Sequence, residues 1–66
     1  MKAYKILVHD DREGDPIELA AELAHDARAR EFARDRLASS AHIMAIEVWR
    51  GPLKLCRFTS GQLRAA

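Results

Sequence analysis

The sequence predicts a small α+β domain of order ββαββ, an antiparallel sheet with one helix packed on one face. Three observations lead to it. The runs Tyr4–His9 and Ile43–Trp49 have the length and β-branched content of strands. The stretch from Ala27 to Ala38 carries a helical period. Short clusters of Asp, Gly, Pro and Ser separate these segments, with no long linker. A chain of 66 residues has room for one domain, so residues 1–66 are read as a single unit whose tail, 60–66, is expected to fray.

The first strand, Tyr4-Lys-Ile-Leu-Val-His9, ends at a turn, Asp10-Asp-Arg-Glu-Gly-Asp-Pro16. The next segment admits two readings. By propensity, residues 16–38 form one long helix, with Asp15 as cap, Pro16 in the first turn and Glu18 closing a capping box. That gives a βαββ order. Periodicity argues otherwise. Ala29, Phe32, Ala33 and Leu37 share one helical face, whereas Leu19, Ala20, Leu23, Ala24 and Ala27 form a stripe rotated from it by roughly 140°. A straight helix cannot bury both stripes against one sheet. Ile17, Leu19, Ala21 and Leu23 instead alternate with Glu18, Ala20, Glu22 and Ala24, which is the period of a strand. Asp26 is then the expected N-cap of a helix from about Ala27 to Ala38. Ile43–Trp49 forms the third strand, Arg50-Gly51-Pro52 the turn and Leu53–Phe58 the returning strand.

Two stretches carry a resemblance. Asp26-Ala27-x-Ala29-x-x-Phe32-Ala33-Arg34 opens the helix, and Ala45-Ile-Glu-Val-Trp-Arg-Gly51 ends the third strand. Together they resemble a group of small bacterial proteins of unknown function with a strand, an acidic Gly turn, a second strand, an Asp-Ala helix start and a Glu-Val/Leu-Trp hairpin. The resemblance implies the ββαββ order and a bacterial origin, and it carries no activity. The chain departs from the pattern at Pro52-Leu53, where a more polar turn is expected.

Composition narrows the function classes. No apolar run approaches the ~20 residues of a membrane span, and the start lacks the apolar region of a signal peptide. One cysteine, Cys56, fits a reducing cytoplasm. The formal charge of +1 hides an asymmetry. Between Asp10 and Asp26, Asp10, Asp11, Glu13, Asp15, Glu18, Glu22 and Asp26 face Arg12 alone, while most bases lie from Arg28 onward. Of the apolar residues, 12 are Ala, so the core is thin and a partner chain is the expected stabiliser.

No constellation for catalysis stands out. Lys5–Asp11 resembles the opening of a receiver domain, but no aspartate follows Asp35 to accept a phosphoryl group. His9, Asp10, Asp11 and Asp15 match no calcium loop, and His25 and His42 lack zinc spacing. Cys56 has no evident base, Ser39, Ser40 and Ser60 sit in no nucleophile elbow, and three glycines make no phosphate loop. No catalytic residue, cofactor or metal is therefore expected. Strand alternation sets Ile43, Ala45, Glu47 and Trp49 on one face, opposite Met44, Ile46 and Val48, and separates Leu53 and Leu55 from Cys56 and Phe58. Ile43, Trp49, Leu53 and Leu55 are the expected interface of a homodimer or of a protein partner, unless the tail covers them. A nucleic-acid accessory role is the alternative, with Arg50, Lys54 and Arg57 as anion contacts.

Overall fold

The computed structural model describes residues 1–61 and contains β1 (Lys2–Asp10), β2 (Ile17–Leu23), α1 (Asp26–Ala38), β3 (Ile43–Arg50) and β4 (Leu53–Thr59). The strands form one antiparallel sheet in the order β2-β1-β3-β4, with α1 on one face. The segment 17–23 is thus a strand, and the long-helix alternative is set aside. Its aliphatic residues explain the outcome: paired with β1, Ile17, Leu19, Ala21 and Leu23 all fall on the side of Tyr4, Ile6 and Val8. Beyond Gly61, the tail expected to fray lies outside the described residues.

The core is a single layer between sheet and helix. Tyr4, Ile6 and Val8 of β1, Ile43, Ile46 and Val48 of β3, and Ala29, Ala33 and Leu37 of α1 are buried together. The helix contributes mostly alanines, spaced by four, so its backbone lies close to the strands. It sits over β3 and β4 more than over β2, which leaves Ile17 at the margin, 39% exposed.

The helix start differs from expectation. Asp26 is the first helical residue and His25 is the cap, its Nδ1 accepting the backbone N–H of Arg28 at 3.2 Å. The Asp26 carboxylate is taken by tertiary partners. The Tyr4 hydroxyl donates to Oδ1 at 2.6 Å, and Arg50 Nη1 donates to both oxygens at 3.0 and 3.1 Å. Tyr4 and Arg50 lie on β1 and β3, so this contact ties α1 to the two central strands.

Two register shifts overturn simple alternation. His9 pairs with Ala45 and Asp10 with Ile43, so Met44 is an extra residue on β3. Ile43 is consequently 6% exposed and in the core, while Met44 is 49% exposed. Val48 pairs with Cys56 and Trp49 with Lys54, so Leu55 is an extra residue on β4. Leu55 and Cys56 both pack against the core. The β3–β4 hairpin turns through Gly51 (φ 59°) and Pro52, the sign pattern of a type II′ turn.

The shifted register makes a direct prediction. Ile43→Val should cost about 0.5–1.5 kcal/mol in chemical denaturation, whereas Met44→Ala should stay within about 0.5 kcal/mol. Uninterrupted alternation predicts the reverse order.

Candidate functional site

The face of the sheet away from α1 has no second layer among the described residues. Its composition follows from pairing. Directly opposed residues of antiparallel strands share a face, so three levels can be read across the sheet. One level holds Ala20, Lys5, Trp49 and Lys54. The next holds Glu18, Leu7, Glu47 and Arg57, and a third holds His9, Ala45 and Thr59. Glu22 stands opposite Ala3 at the far end of β2.

At the centre of this face the polar groups are organised. The Trp49 indole N–H donates to Glu47 Oε1 at 3.0 Å. His9 Nε2 lies 3.1 Å from Glu47 Oε2, and Arg57 Nε lies 3.7 Å from the same oxygen. Lys5 and Lys54, from the strands on either side of β3, each place Nζ 5.8 Å from the Trp49 ring centroid. Burial pushes the Glu47 carboxyl up, but the hydrogen bonds from Trp49 and His9, with the charge of Lys54, hold it below the usual range. The site is a half-buried tryptophan flanked by two cations and hydrogen-bonded to a fixed carboxylate. This arrangement presents an aromatic surface and charges of both signs, and it suits contact with another surface.

The four residues expected to form an apolar interface are not brought together. Only Trp49 lies on the open face. Ile43 is in the core and Leu55 packs against it, because the two extra residues reverse their alternation. Leu53, 53% exposed, pairs with Arg50 beside the hairpin turn. The anticipated apolar patch is replaced by Leu7 and Trp49 among charges. Of the three anticipated anion contacts, Lys54 and Arg57 are on the open face, while Arg50 reaches Asp26 on the helix side. Sequence reasoning missed Lys5 and His9 as members of the site. Their i, i+4 spacing on a strand marks one face, but only the register of β1 against β3 places them beside Trp49 and Glu47.

The acidic turn after β1 is held by separate partners. Asp10 accepts the Arg12 backbone N–H at 2.8 Å, Nε at 3.0 Å and Nη2 at 2.8 Å. These bonds lower its carboxyl to about 2 despite burial. His42 Nδ1 is 3.0 Å from Asp11 Oδ1, and the Asp11 N–H donates to the His42 carbonyl at 2.8 Å. His9, Asp10 and Asp11 therefore point to three different partners. Among the described residues, no three His, Cys, Asp or Glu side chains gather to hold a metal. Burial pushes the Cys56 thiol up, although Arg30 opposes the shift. Among the same residues, no helix is long and apolar enough to cross a membrane.

The depressed carboxyls of Asp10 and Glu47 predict acid behaviour. A depressed folded-state pKa gives stability that is full above the unfolded value and is lost as the pH falls through the folded value. The contribution of Asp10 is thus intact above the ordinary aspartate range and fades toward about pH 2. Asp10→Asn should lower the melting temperature at neutral pH and narrow the gap between neutral and acid melting temperatures, read by circular dichroism. The emission of Trp49, the sole tryptophan, should titrate in acid as Glu47 protonates, and Glu47→Gln should abolish that titration.

The chain matches no protein-family model, and neither the curated proteins nor the solved structures contain a match.

Proposed function

We propose that this chain is a non-catalytic binding module that associates with a second copy of itself through the open face of its sheet. The observation that carries this reading is the one-sided architecture: α1 covers one face, and the other holds Leu7 and Trp49 within a fixed set of charges. The thin core supports it further, since a domain of this size gains stability from association. The setting we propose is a reducing bacterial cytoplasm, which the single Cys56 and the resemblance favour.

A second reading has its own observation. Trp49 with Lys5, Lys54 and Arg57 beside it is a set of groups that can stack on a base and meet phosphates. Glu18, Glu22 and Glu47 on the same face oppose a polyanion, so self-association is the stronger reading.

Sedimentation equilibrium should return a mass twice that of the 7.4 kDa chain at high micromolar concentration. A monomer throughout that range would remove the reading. Titration with a single-stranded oligonucleotide at 50 mM salt tests the alternative, through quenching of Trp49.

A further inference from the structure

The charges on the open face are sorted by strand. β2, at one edge, contributes Glu18 and Glu22. β4, at the other edge, contributes Lys54 and Arg57. The central strands carry Lys5, His9 and Glu47 between them. The face therefore runs from an acidic edge to a basic edge across the strands.

This polarity selects one way of stacking two copies. We infer that the open faces pair about a two-fold axis parallel to the strands, between β1 and β3, so that β2 of each copy lies over β4 of the other. Rotation about such an axis exchanges the edges and keeps each level in place. Glu18 and Arg57 occupy the same level, so each Glu18 meets the partner's Arg57. Glu22 stands one level beyond Lys54 and comes within reach of that long side chain on the partner. At the centre, Lys5 and Trp49 share a level and are exchanged, which lays Lys5 on the partner's Trp49 as well as its own. An axis running across the strands fails this test. It sets β2 over β2 and β4 over β4, with like charges opposed at both edges.

Size agrees with the arrangement. The molecule is a two-layer slab measuring 30 × 28 × 17 Å. Four strands of 7 to 9 residues give the open face a footprint of roughly 500 Å² per copy, the size of a small, reversible interface. The arrangement keeps the strands of the two sheets aligned, which is the common packing of twisted sheets, at about −30°.

The inference rests on self-association through this face, and its test separates the two. Glu18→Arg and Arg57→Glu should each weaken the homodimer about tenfold or more, because two symmetric attractions become repulsions. An equimolar mixture of the two variants should recover a dimer, since both of its edge contacts join Arg to Glu. Analytical ultracentrifugation with one variant labelled reads this directly. If the unaltered chain is monomeric, self-association itself fails. If it dimerises while the single variants are unimpaired, or the mixture fails to recover, the axis is wrong and the association stands. Should Arg57→Glu unfold beside Glu47, the pair Glu22→Lys and Lys54→Glu repeats the experiment on the second contact. Dimerisation of Glu18→Arg alone at full strength overturns the arrangement whatever the second variant does.

Discussion

A single helix can cover only one face of a four-stranded sheet, and the rest of this structure depends on that constraint. The aliphatic residues of β1, β2 and β3 are spent on the covered face, against Ala29, Ala33 and Leu37. The small helix residues let α1 come close, and the bulk of the core is then supplied by the strands. What remains for the other face is charge, interrupted by Leu7 and Trp49. The polar groups at the centre of that face are organised around Glu47. It accepts from Trp49, lies beside His9 and Arg57, and so fixes the ring that Lys5 and Lys54 flank.

Tyr4, Asp26 and Arg50 play a matching part on the covered side. Their hydrogen bonds fasten the start of α1 to the central strands. The Tyr4 hydroxyl is buried, and a carboxylate acceptor satisfies it where a neighbouring aliphatic would not. This use removes Asp26 from capping and leaves the task to His25. It also holds Arg50 on the helix side and divides the basic residues of the hairpin between the two faces.

The extra residues Met44 and Leu55 divide the work differently from a regular ladder. Each allows two neighbouring residues to escape strict alternation. Ile43 thereby joins the core, and Leu55 packs against it, in a chain whose alanine content leaves it short of bulky side chains. The cost falls on Met44, which is exposed. The open face becomes less apolar, and its capacity for contact shifts from an oily patch to one aromatic ring among paired charges. Association through such a face depends on the arrangement of charge, which explains why the sorting of acids to β2 and bases to β4 carries more information than total apolar area.

Local chemistry in the sequence determined the order of elements. The period-2 run from Ile17 to Leu23, the four-residue spacing of Ala29, Ala33 and Leu37, and the Gly51-Pro52 turn act over a few residues each, so they are legible without a fold. Trp49 and Glu47 were also legible as neighbours on one strand face. Tertiary structure alone decided the strand order, the two register shifts, the partner of Asp26 and the meeting of Lys5, His9, Trp49, Lys54 and Arg57. These depend on which strand lies beside which and on how their hydrogen-bond ladders align. A shift of one residue moves a side chain to the opposite face, and nothing within a single strand encodes where its partner inserts that extra residue.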